Sequence, residues 1–167
     1  MDPKQQILNF IVEQLASISI GTGYQTDMQR VLSGKIIPTD RFSEFERRAL
    51  CQIRFVAQNS APSGQFARTA TATYLISASM TNRTHEDFMN FLGDIEAVLA
   101  KSLHMGLYTD VFEVDEYGIS SITLTGSTEY DELNDTISPD IREQVSENEL
   151  TVIYTYIPEL LSGDLTV

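Results

Sequence analysis

The sequence predicts an α+β fold: a single domain with a mostly antiparallel sheet of four to five strands and two main helices packed on it. Three observations predict it. Apolar residues recur at helical spacing in two separate stretches, a two-residue alternation runs between them for about twelve residues, and alternation returns in the C-terminal third. At 167 residues and 42% hydrophobic content, residues 1–167 suit one domain that buries roughly 70% of its unfolded surface.

Asp2-Pro3 opens the first helix, with Asp2 as cap and Pro3 in the first turn, where a missing N–H costs nothing. Ile7, Phe10, Ile11, Leu15 and Ile18 then recur at helical spacing as far as Gly21-Thr22-Gly23, which ends the helix. Between Tyr24 and Leu32 a weaker pattern allows a short strand closed by Ser33-Gly34-Lys35, and Pro38-Thr39-Asp40 is a turn. From Arg47 to Ala57 alternation places Ala49, Cys51, Ile53, Phe55 and Ala57 on one side of a strand and Arg48, Gln52 and Arg54 on the other. Asn59 to Gly64 has loop composition. The next strand is the clearest: Ala70, Ala72, Tyr74, Ile76, Ala78 and Met80 share one face, and Thr69, Thr71, Thr73, Ser77 and Ser79 share the other.

Thr84-His85-Glu86-Asp87 has the form of a capping box. Phe88, Phe91, Leu92, Ile95, Leu99 and Leu103 follow as one helical stripe, closed by Gly106. Two further strands are expected at Ile119–Thr125 and Leu150–Tyr156. The 24 residues between them, 126–149, are rich in Asp and Glu and are expected to form a projecting acidic inserted loop.

Charge is distributed unevenly. Residues 1–109 hold ten Lys/Arg and ten Asp/Glu, whereas residues 110–167 hold fourteen acids against Arg142, so 1 − 14 accounts for the net −13. Such asymmetry bears on surfaces and association rather than on fold. A pI near 4.4 without a basic, aromatic-rich patch argues against gripping nucleic-acid phosphates. The N-terminus has no signal-peptide pattern and no apolar run approaches the ~20 residues of a membrane span, so a protein that is cytosolic where made, without a membrane partner, is expected. Cys51 is the only cysteine, which excludes an intrachain disulfide and favours an inert buried thiol.

The residues do not assemble a catalytic signature. His85 and His104 are the only imidazoles and fall near the two ends of the second helix, about 28 Å apart at the helical rise. No G-x-S-x-G surrounds a serine. Gly21-Thr22-Gly23 follows a helix instead of a strand and lacks the third dinucleotide-binding glycine, and Gly34-Lys35-Ile36 lacks the rest of a P-loop. The acidic pairs Asp115/Glu116 and Asp131/Glu132 have no calcium-loop spacing, and a solvated acidic surface accounts for them better than a weak cation site or catalysis. No catalytic residue, cofactor or metal is therefore expected. Arg41, Arg47, Arg48 and Arg54 form the other concentration of charge, either as a solvated strand face or as a basic edge that meets an acidic segment of another copy or partner, with Asp131, Glu132 and Asp135 as its candidate complement.

The order helix, short strand, strand, long strand, helix, two strands, together with Gly23-Tyr24-Gln25-Thr26, Val31-Leu32-Ser33-Gly34 and Leu150-Thr151-Val152-Ile153-Tyr154-Thr155-Tyr156, resembles the tail terminator (tail completion) proteins of long-tailed bacteriophages over about residues 3–157. The resemblance implies a non-enzymatic virion protein of the tail and neck. Six copies would form a ring that caps the finished tail tube, stops its polymerisation and docks to the head-tail connector. The acidic 126–149 connection departs from that pattern. A hexamer would carry about −78, and carboxylates around its opening would let DNA pass without binding it. The alternatives are a head-to-tail adaptor or stopper of the neck, a small-ligand-binding or enzymatic α/β domain with an acidic lid, and an acidic mimic of nucleic acid.

Overall fold

The computed structural model describes residues 2–104, 111–112, 117–133 and 142–158. Five strands form one sheet, β1 (Arg30–Ser33), β2 (Leu50–Pro62), β3 (Arg68–Thr81), β4 (Gly118–Leu133) and β5 (Arg142–Tyr156), in the order β1-β2-β3-β5-β4. Only β1–β2 is parallel. Two helices, α1 (Pro3–Ala16) and α2 (His85–His104), pack on one face, so the fold is the expected α+β domain.

Local chemistry sets the helix ends. The Asp2 carboxylate accepts from the Lys4 N–H at 2.8 Å, with Pro3 in the first turn. The Thr84 hydroxyl accepts from the Asp87 N–H at 3.1 Å while Asp87 accepts from the Thr84 N–H at 3.3 Å, which completes the capping box. The first helix stops at Ala16, earlier than its apolar spacing suggests. Ile18 stays fully buried beyond it, and a short 3-10 turn, Ile20–Thr22, is closed by Gly23 at φ 98°, a conformation that glycine adopts without strain.

The core lies between the helices and one sheet face. Ile7, Ile11 and Leu15 of α1 and Phe88, Phe91 and Ile95 of α2 pack over Cys51, Ile53, Ala70, Ala72, Tyr74, Ile76, Leu150, Val152 and Tyr154. The alternation of β3 is realised residue by residue, with Ala70, Ala72, Tyr74, Ile76 and Ala78 fully buried. Tyr74 spans the sandwich and donates its hydroxyl to the Lys4 carbonyl at 3.0 Å. Buried Asp94 accepts from the Gln25 N–H at 3.0 Å, which ties the segment after α1 to α2.

Three expected strand boundaries move, and one expected strand face changes. The first short strand is Arg30–Ser33 rather than the Tyr24–Leu32 stretch. The strand expected from Arg47 begins at Leu50, because residues 34–49 are used to cross over to a parallel neighbour. Its outer half does not keep the expected inward face: a bulge at Val56 interrupts the register, and Phe55 and Ala57 are exposed. The loop expected at Asn59–Gly64 is mostly strand, since β2 runs to Pro62 before a turn in which the Ser63 N–H donates to the Ala67 carbonyl at 2.9 Å.

The largest correction concerns the acidic connection. Residues 126–133 and 142–149 are not a loop but a continuous antiparallel extension of β4 and β5, paired from Gly118↔Thr155 to Leu133↔Arg142. Only residues 134–141 lie outside the described residues there. Polar residues on the helix-facing side of β5 conceal the strand in the sequence: Ser146 and Asn148 are buried, and the Asn148 amide donates to the Ile76 and Ser146 carbonyls, each at 3.3 Å.

Candidate interaction surfaces

Among the described residues the opposite face of the sheet is covered at one end only. The crossover from β1 to β2 lies across it and buries Phe42. The Gln52 side chain holds this wrap in both directions, accepting from the Ile37 N–H at 2.8 Å and donating to the Ile37 carbonyl at 3.0 Å. Farther along, the Thr39 hydroxyl donates to the buried Glu143 carboxylate of β5 at 3.2 Å. Leu50, Ser79 and Val145, one row across three strands, are buried beneath the wrap.

The arginines singled out from the sequence are not on one strand face. Arg41 and the Arg47-Arg48 pair lie on two 3-10 turns of the wrap, Thr39–Arg41 and Glu46–Arg48, and only Arg54 belongs to β2. Arg47 donates from Nη1 to the Phe42 carbonyl at 2.6 Å, and its buried Nε has no hydrogen-bond partner among the described residues. The Arg48 guanidinium stands 5.5 Å from the centroid of the exposed Phe45 ring. Arg47 and Arg48 line a recess of about 280 Å³ with Glu44, Thr81, Asn82 and Arg83. Arg48 and Arg83 also border a groove of about 370 Å³ that reaches Ile20, Phe45 and Asp87. Arg83 was not among the candidates because it is remote in sequence and joins Arg47 and Arg48 only where β3 leads into α2. Glu46 anchors the wrap: it accepts from the Ser43 N–H at 3.0 Å and pairs with Arg30 at 3.5 Å. Its carboxyl is held below the usual range, chiefly by the Ser43 backbone bond, then by the Ser43 hydroxyl, with a smaller contribution from Arg30.

Of the acidic candidates, Asp131 and Glu132 are residues of β4, registered opposite Gln144 and Glu143, whereas Asp135 lies outside the described residues. Arg54, Leu75 and Glu149 occupy one row across β2, β3 and β5, and Thr39 bonds to Glu143. Basic and acidic elements therefore share one face of a single subunit, an arrangement that sequence distance hides.

His85 starts α2 and His104 ends it. Asp115 and Glu116 lie outside the described residues, as does the His104 side chain. Cys51 is fully buried, and desolvation pushes its thiol far above the ordinary range, so it is inert. Among the described residues no three His, Cys, Asp or Glu side chains gather as metal ligands, and no helix is long and apolar enough to cross a membrane. No protein-family model matches the chain, and no curated protein matches it.

Proposed function

We propose that this chain is a structural subunit of a phage tail, a tail terminator that assembles as a ring, hexameric in the manner the resemblance implies. The ring caps the tail tube, ends its polymerisation and joins it to the head-tail connector. One observation carries this reading: a single subunit presents unlike surfaces on different elements, the recess of Arg47, Arg48 and Arg83 on one and the exposed Glu147 and Glu149 of β5 on another. Unlike surfaces meet head to tail, and head-to-tail contacts close rings. The order of helices and strands is the one on which the resemblance rests.

In this reading the ring lies in the tail and neck of the virion, and DNA passes through it without specific binding. The test is native mass measurement of the protein alone and with tail-tube protein. A ring-sized complex that blocks tube growth is the expected result. Binding to connector protein without binding to the tube would move the protein to a neck adaptor. Charge reversal at Arg48 and Arg54 tests the charged surfaces: a weakened assembly would place them in the contact between subunits, and an unchanged mass would remove these arginines from it.

A further inference from the structure

The charged surfaces occupy one end of the sheet, and among the described residues the strands at the other end carry almost no charge, with Asp2 and Lys4 of the α1 N-terminus beside them and the Lys4 ammonium 5.8 Å from the Phe55 ring centroid. From residue 55 to residue 82 the only charged side chain is Arg68, and residues 117–128 and 150–158 have none, in a chain whose composition is 21% charged. The register brings these stretches together, since Ala61, Thr69, Thr155 and Gly118 form one row across β2, β3, β5 and β4. Both borders of the sheet are open at this level among the described residues. β1 covers β2 only from Leu50 to Ile53, and β4 is the opposite border. Along the β2 border Phe55 and Val56 are 36% and 45% exposed, and Phe66 at the hairpin turn is 60% exposed.

Edge strands are usually blunted by charge, and the centres of protein interfaces are depleted of it. Here Pro62 and the bulges at Val56, Ser120 and Thr125 do part of the blunting, leaving regular stretches at Ala57–Pro62 and Ser121–Leu124. Three successive antiparallel pairings separate β2 from β4, so the two borders run in opposite senses. A copy related by rotation about an axis along the strands keeps its strand sense, and its β4 then meets this β2 antiparallel. The bulge at Thr125 turns β4 just before the level at which β1 takes up the flank of β2 at Ile53.

We infer that the uncharged half of β4, residues 118–124, adds as a strand to the free border of β2, residues 55–62, in a second copy of this chain. The contact continues the sheet from subunit to subunit by main-chain hydrogen bonds, as in strand addition generally. This inference rests on the ring reading and names its contact. It places the uncharged end of the sheet at the joint, whereas the arginines and carboxylates remain for other partners or a secondary contact.

The test mixes two single-substitution variants, Asn59→Cys and Ser121→Cys, whose positions lie on one row of the sheet, and treats them with a short bifunctional thiol reagent. Cys51 is fully buried and stays silent. The expected product is a crosslinked dimer in the mixture and in neither variant alone, formed equally at about 0.05 and 0.5 M salt, across which exposed charge pairs are strongly screened. A crosslink within Asn59→Cys alone would mean that β2 pairs with β2, and it would overturn the inference. Rings by native mass without a mixed crosslink would also overturn it while leaving the ring reading intact. The absence of any assembly, alone or with tail-tube protein, would overturn both.

Discussion

The two ends of the sheet are built on different physical terms. Near the β2–β3 turn, Tyr74, Leu150, Val152 and Tyr154 fill an apolar interior beneath strands that carry almost no charge. Near the β4–β5 turn, Gln52, Ser79, Glu143, Gln144, Ser146 and Asn148 are buried, and arginines and carboxylates crowd the surface. The first end is stabilised by area removed from water, which sodium chloride does not screen as it screens charge pairs. The second is held by hydrogen bonds whose net worth is small but whose loss leaves desolvated groups unpaired. Mutation at the first end should cost more, and at the second end it should depend more on conditions and act more locally.

The sharpest break of this comparison is Tyr154→Ala. Tyr154 is 1% exposed, stacks near Phe112 with ring centroids 5.8 Å apart, and bonds to the Gln58 amide oxygen. Removing a buried aromatic ring costs about 3–5 kcal/mol through lost transfer energy and the cavity left behind. Urea denaturation at low and high salt should show the same loss in both. A loss that changes with salt would mean that the uncharged end is not independent of the charged one.

The next largest effect is expected at Gln52→Ala. Both polar atoms of this side chain are used on Ile37, so the variant leaves a backbone N–H and a carbonyl of the wrap without partners, at about 1–3 kcal/mol. The loss should be regional. Protease cleavage within residues 36–48 should rise in native buffer while the amides of β3 keep their hydrogen-exchange protection. Equal loss of protection in β3 would show that the wrap and the sheet unfold as one unit.

How much of this was legible in the sequence follows the same division. The apolar stripe of α2, the cap at Thr84 and the alternation of β3 were readable because apolar burial leaves a periodic trace. The strand extension at Arg142–Glu149 was not, since its inward residues Ser146 and Asn148 are polar and its outward Glu147 and Glu149 resemble a solvated loop. The wrap of residues 34–49 has no period at all. Its path depends on Gln52 and Glu143, fifteen and about a hundred residues away from their partners. The arginine recess was half legible: Arg47 and Arg48 are adjacent, but Arg83 enters through the topology. The uncharged end was present in the sequence as a gap in charge, and acquires meaning only when the register sets four such gaps side by side.

Thr84→Ala tests how far the charged end relies on single local bonds. It removes the hydroxyl that accepts from the Asp87 N–H, and losing such a cap costs about 0.5–2 kcal/mol. The expected outcome is a fall in thermal midpoint with exchange protection lost mainly in the first turn of α2, beside Arg83. A fall as large as that of Tyr154→Ala would place the two ends on equal footing and end the distinction.

The smallest effect is the most specific to the charged end. The Glu46 carboxyl is held below its ordinary value, first by the Ser43 N–H and hydroxyl and then by Arg30. Because the folded value is the lower one, the bonds stabilise the fold fully above the ordinary carboxylate range and are lost as pH falls through the lowered folded value. Glu46→Gln keeps the size of the side chain and removes this titration. The variant should match the wild type more closely at pH 3 than at pH 6, with the difference in thermal midpoint shrinking as the solution is acidified. The same titration on a Tyr154→Ala background should show an unchanged Glu46 contribution, because an exposed pair on the wrap and a ring buried at the other end have no shared partner. Coupling between them would require the sheet itself to transmit strain from end to end.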